Sequence, residues 1–168
     1  MRARLGFVAV ALLATGCQVS QLQFVADQRL TFDQPKARTR VTLPVTVRWS
    51  MKDFSPSGLD GSSSDKSGIF AVFVDRAPMP AGKDVRWLVR DDRGCARDPR
   101  CPNAKYLADN GIFLTDQSSI TLSFLPTAPD GVGDEQHYVN VVLLNGSGKR
   151  IGESAWYLPF TTERRHAS

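Results

Sequence analysis

The sequence predicts an all-β fold: a seven-stranded antiparallel β-sandwich carrying one long, disulfide-stapled loop. Three observations lead there. Apolar residues alternate with polar ones in several runs of strand length, turn-forming residues separate those runs, and no stretch holds a convincing helical period. The 168 residues suit one domain, and 42% hydrophobic with 23% charged residues is ordinary for a globular chain.

The strands follow in order. Arg29–Asp33, just before Pro35, supplies a first edge strand. Val41, Leu43, Val45, Val47 and Trp49 alternate with Thr42, Pro44, Thr46, Arg48 and Ser50, which predicts a half-buried strand with Trp49 in the core. Pro44 falls on its outward face and has no N–H, so the strand should be unpaired on one side there. Ile69–Val74 is a near-continuous apolar run closed by Asp75-Arg76-Ala77-Pro78. Val85, Trp87 and Val89 alternate in a fourth strand, and Ile120, Leu122 and Phe124 in another. Tyr138–Leu144 is a strong central strand, Asn145-Gly146-Ser147-Gly148 a hairpin turn, and Arg150–Phe160 its returning partner. Tyr106–Asp109 has the makings of one helical turn. Two long connections remain, Lys52–Gly68 and Asp91–Asn110. Sandwich topology gathers them with Asn145–Lys149 at one pole, beside the start of the first strand, as a candidate binding face.

The amino terminus has a separate logic. Met1–Arg4 is basic, and Leu5–Leu13 is apolar but far shorter than the ~20 residues a membrane-spanning helix needs. Small residues follow, in Leu13-Ala14-Thr15-Gly16-Cys17. That order reads as a cleaved leader with an acylated cysteine: residues 1–16 a lipoprotein signal peptide, Cys17 the lipidation site, 17–28 a tether, 29–162 the sandwich and 163–168 a disordered basic tail. The cysteine count agrees. Cys95 and Cys101 bracket five residues and can pair in an oxidising compartment, a small ring worth about 2–2.5 kcal/mol. Cys17 is then the thiol left over, and a lipid accounts for it.

Leu43-Pro44-Val45-Thr46-Val47-Arg48-Trp49, Phe73-Val74-Asp75-Arg76-Ala77-Pro78 and the hairpin Val142–Trp156 with Arg150-Ile151-Gly152-Glu153 resemble bacterial surface lipoproteins that carry an immunoglobulin-like or fibronectin type III-like sandwich. The resemblance covers nearly all of the chain after the leader. It implies the architecture and no particular activity. The antibody-type cysteine pair is missing, since no cysteine falls in the second or sixth strand.

Several chemistries are poorly supplied. The formal charge of +4 includes Arg2 and Arg4, and without them 19 basic residues stand against 17 acidic ones, interspersed, which speaks against nucleic acid as a partner. His137 and His166 are the only histidines, and no G-x-S-x-G elbow is present, so a serine-type triad has little to draw on. Cys95 and Cys101 alone do not make a zinc site. Of the loop aspartates Asp60, Asp65, Asp91, Asp92, Asp98 and Asp109, Asp91 and Asp92 are the best calcium candidates, although the calcium-loop pattern D-x-[DN]-x-[DN]-G is absent. Candidate contact residues are Asp91, Asp92 and Arg97 on the stapled loop, and Trp156 and Tyr157, adjacent in a strand and so pointing to opposite faces. The expectation is a non-catalytic binding or assembly module without cofactor or metal. Lipidated Cys17 would hold it on the extracytoplasmic face of a bacterial membrane, where its partner would be an envelope protein or cell-wall ligand. The alternative is a calcium-dependent binder or small envelope enzyme using the loop aspartates.

Overall fold

The computed structural model describes residues 27–125 and 134–163. The expected leader, Cys17, tether residues 18–26 and basic tail 164–168 lie outside them.

The described residues form nine strands: β1 (Leu30–Gln34), β2 (Arg40–Val41), β3 (Val45–Met51), β4 (Ser55–Pro56), β5 (Ser67–Val74), β6 (Ile112–Thr115), β7 (Ser119–Leu122), β8 (Glu135–Asn145) and β9 (Trp156–Thr162). A 3-10 helix (Val85–Val89) and two short α-helices, α1 (Arg93–Arg97) and α2 (Ala104–Asp109), lie between β5 and β6. The all-β prediction holds, and the pairing of the long strands is antiparallel. One sheet has the order β1-β3-β7. The larger has the order β2-β9-β8-β5-β4, with β6 also on β5, and its two-residue strands β2 and β4 pair in parallel.

The sheets share one apolar core. Val45, Val47 and Trp49 of β3 meet Phe70 and Val72 of β5, Val139, Val141 and Leu143 of β8, and Trp156, Leu158 and Phe160 of β9. Trp49 stands edge-on to Phe70, ring centroids 5.3 Å apart. The predicted alternation along β3 is therefore real and Trp49 is a core residue, 1% exposed.

A second core lies on the opposite face of the larger sheet. Ile69, Ala71 and Phe73 of β5 and Val142 and Leu144 of β8 point there, and Met79, Val85, Trp87, Leu88 and Leu107 cover them. This layer corrects the strand expected at Val85, Trp87 and Val89, which is a 3-10 helix. Val85, Leu88 and Val89 have helical spacing as well as a partial strand alternation, and Asp84 decides the matter by accepting hydrogen bonds from the N–H groups of Arg86 and Trp87 at the helix start. It also corrects the placing of the stapled segment. Asp91–Asn110 does not project from the pole but lies across the sheet, because leaving five apolar side chains of β5 and β8 in water would forgo roughly 1.5–3 kcal/mol for each large one. The uninterrupted apolar runs of β5 and β8 are the pattern of strands buried on both faces.

Other expectations shift at the ends. Tyr106–Asp109 is helical as expected, within α2. The edge strand β6 was not anticipated, and β7 ends at Leu122, leaving Phe124 beyond the strand and 76% exposed. The Asn145 turn forms, with Gly148 N–H donating to Asn145 O at 2.8 Å. Its returning strand meets β8 only at an isolated Leu144–Arg150 bridge and resumes at Trp156. In the gap the buried Arg150 guanidinium donates to the carbonyls of Met79, Glu153 (2.8 Å) and Ser154 (3.1 Å), tying the covering layer to the β8–β9 connection. Two of the three loops expected at one pole do dock there: Gly61 N–H donates to Gly146 O and Ser147 N–H to Ser62 O, both at 2.9 Å.

Contacts of the folded domain reach back to Asp27. Asp27 takes both carboxylate oxygens to the Arg29 guanidinium (2.8–3.1 Å) and accepts the Ser154 hydroxyl at 2.7 Å, while its carbonyl accepts the Trp156 indole N–H at 2.7 Å. Arg29 O in turn accepts the N–H of Lys52, which places this entry point where β3 runs out into the Lys52–Gly68 loop.

Candidate functional site

Residues of β8 and β9 alternate between the shared core and the outer face of the larger sheet. Val139 and Val141 on β8, and Trp156, Leu158 and Phe160 on β9, point inward. Gln136, Tyr138 and Asn140, and Tyr157, Pro159 and Thr161, therefore occupy the outer face. The covering layer stops at Asn140, whose side-chain amide donates to Arg76 O at 3.1 Å. Beyond that line Gln136 and Tyr157 are exposed and Tyr138, Pro159 and Thr161 half-buried among the described residues.

Register then assembles a platform. Tyr138 stands opposite Pro159, Asn140 opposite Tyr157 and Gln136 opposite Thr161, so the two tyrosines are diagonal neighbours on one face. Their ring centroids are 5.5 Å apart at 40°. Tyr157 is 57% exposed, one of three large hydrophobic side chains so open among the described residues. Arg38 closes the edge. Its N–H donates to Pro159 O at 2.7 Å and its φ of 61° lies in the left-handed region, a strained setting for a side chain with a Cβ. Arg38, Gln136, Tyr138, Tyr157, Pro159 and Thr161 with the adjoining backbone line an open groove of about 620 Å³. Aromatic faces with a few polar groups at the rim are the lining that ligand-contact surfaces use.

The expected site residues separate. Tyr157 lies at the centre of the platform. Trp156, its neighbour, faces the core at 8% exposure and donates its indole N–H to the Asp27 carbonyl. Tyr138 was not anticipated as a contact; the signal for it was its parity with Tyr157 once two adjacent strands are aligned, which a single strand does not display.

Cys95 and Cys101 are disulfide-bonded, with Cα atoms 5.2 Å apart. The ring sits on the covering layer. Asp92 caps α1, its Oδ1 accepting from the N–H groups of Gly94 and Cys95 and its Oδ2 from the Tyr106 hydroxyl at 3.0 Å. The bond from Cys95 N–H, then that from Tyr106, lowers the Asp92 pKa, and burial with the Asp92 charge raises that of Tyr106. Asp91 points elsewhere, to Arg90 at 3.1 Å, and Arg90 lies flat over Trp87 at 3.6 Å from the ring centroid. Arg97 is exposed at the end of α1. Asp91 and Asp92 are thus adjacent in sequence without converging, and among the described residues no three His, Cys, Asp or Glu side chains cluster as a metal site.

His137 has an orienting carboxylate, Asp75, 2.7 Å from Nδ1, and Asp75 also accepts the Tyr138 N–H at 2.9 Å. That is two-thirds of a triad. The ring is 4% exposed, however, and stacked toward Phe160. Among the described residues its Nε2 has no hydrogen-bond partner, and it lies 3.7 Å from Glu135. Among them, therefore, no hydroxyl or thiol is within hydrogen-bond reach of Nε2 for it to activate. The pair joins the end of β5 to β8 directly beneath Tyr138 and so helps to set the platform.

Compared with protein-family models, with curated proteins and with solved structures, the chain finds no match.

Proposed function

We propose that this chain is a bacterial envelope lipoprotein: a leader removed before Cys17, a lipid on Cys17, a short tether, and an immunoglobulin-like sandwich that acts as a non-catalytic binding module. The anchor half of the reading is supported by the basic-apolar-small order of residues 1–16, and by a disulfide that uses two of the three cysteines and leaves Cys17 for the lipid. The immunoglobulin-like reading is supported by two sheets, antiparallel in their long strands, around a core that holds Trp49 and Trp156, with a helical layer over one outer face.

The observation that carries the binding half is the patch around Tyr157. Among the described residues the covering layer buries the outer face over β5 and the later half of β8, and leaves Tyr157 exposed and Tyr138 half-buried on the same sheet. An exposed tyrosine ring beside a half-buried one, on two adjacent strands of one sheet, is apolar surface that a ligand can cover.

Two experiments test the two halves. Cys17→Ser should release the protein from membranes and abolish incorporation of labelled fatty acid; unchanged retention and labelling would remove the anchor. Affinity capture from solubilised envelopes should recover a ligand with the native protein and lose it with Tyr157→Ala. Equal recovery by both would remove the platform as the binding face.

A further inference from the structure

We infer that the ligand of the Tyr138–Tyr157 platform is an acidic glycan strand, one whose sugar rings carry carboxylates. The inference rests on the binding-module reading above and adds the ligand class to it.

Three features of the groove select that chemistry. First, the aromatic surface is broad and shallow. Two tyrosine rings 5.5 Å apart, with Pro159 between them and the strand edge, offer an apolar floor without a deep socket. Such a floor suits a flat ligand with C–H faces, as a pyranose ring has, better than a single bulky side chain that would need a pocket. Second, the rim is made of short polar groups at regular strand spacing. Gln136 and Thr161 face each other across β8 and β9, about two residues, or ~7 Å, along the strands from Tyr138 and Pro159. Amide and hydroxyl groups are the partners that ring hydroxyls use, each able to donate and accept. Third, the charge is one-sided. Among the described residues Arg38 is the only Lys, Arg, Asp or Glu lining the groove, and it is exposed; His137 there is buried and bonded to Asp75. Its backbone is held by the bond to Pro159 O, so the guanidinium is rooted at the groove's edge while free to fork onto a carboxylate. Charge complementarity therefore asks for an anion beside the stacked ring rather than a neutral sugar.

The test uses the full-length acylated protein in detergent and two probes: peptidoglycan glycan strands freed of their peptides, which keep a carboxylate on alternate sugars, and chitohexaose, which has similar rings and no carboxylate. Titration calorimetry should show the strands binding roughly tenfold more tightly than chitohexaose. Arg38→Gln should reduce the strands to the chitohexaose level, while Arg38→Lys restores part of the difference. Tyr157→Ala should abolish binding of both probes with an unchanged unfolding midpoint, because the side chain is largely in solvent. Equal affinity for the two probes, or no effect of Arg38→Gln, overturns the acidic-glycan assignment. If neither probe binds while Tyr157→Ala still abolishes envelope capture, the ligand class is wrong and the platform stands as a site for another partner. If Tyr157→Ala leaves capture intact, the failure belongs to the underlying reading.

Discussion

Asp27 closes the domain where the chain enters it, and removing its charge should be measurable. The Arg29 guanidinium bonded to it, against the opposing effect of burial and with help from Arg29 N–H and the Ser154 hydroxyl, holds the carboxyl at a pKa of about 2. Relative to an ordinary aspartate near ~3.9, that depression corresponds to at most about 2.5 kcal/mol of folding stability at neutral pH. Arg29 is 35% exposed, so water screens the pair and about 1–1.5 kcal/mol is the better expectation. Because the folded pKa is the lower one, the contribution is complete above the unfolded value near 4. It is lost as the pH falls through the folded value near 2. Urea unfolding of native protein and Asp27→Asn should therefore differ by about 1–1.5 kcal/mol at pH 7 and by about half of that at pH 3. The Trp156 indole bond to the Asp27 carbonyl survives the substitution and should keep indole fluorescence native in both proteins. A stability gap that is absent at pH 7, or equal at the two pH values, would refute the assignment of the clasp to the Asp27 charge.

Further outcomes follow from other contacts. Arg150→Leu strips three carbonyls of a buried cationic donor and should lower stability by about 3 kcal/mol in thermal or urea unfolding, the covering layer loosening first under hydrogen exchange. Replacing Cys95 and Cys101 together by serine should cost about 2–2.5 kcal/mol and open the segment between α1 and α2 to limited proteolysis, while platform binding is retained. Gly68 has φ of 148°, and a Cβ there would lie 2.0 Å from Leu144 O, so Gly68→Ala should disrupt the β5–β8 pairing and yield little soluble protein; normal expression with a native melting point would contradict the close approach.

How much was legible beforehand differs from element to element. The period-two pattern of β3 specified a strand with Trp49 inside, because alternation on a half-buried strand is a local property. Asn145-Gly146-Ser147-Gly148 specified its turn for the same reason: the conformational needs of a turn are met by the residues in it. Val85–Val89 misled, because five residues with four apolar side chains fit a strand or a helical turn, and an aspartate cap decided between them. Tyr157 was reached by parity with Trp156, and the structure then chose which of the two faces outward.

By itself the sequence determined the class of structure, the central strands, the pairing of Cys95 with Cys101, and the leader pattern ending at Cys17. All of these are written in short windows: hydrophobic period, turn chemistry and cysteine spacing. Only the tertiary structure decided that the stapled segment lies over the sheet, that its cover stops at Asn140, and that Tyr138, Tyr157 and Arg38 share one surface. Those three residues come from β8, β9 and the turn before β2, and strand register brings them together. Register depends on how whole strands satisfy two cores at once, a condition that no local stretch of sequence contains.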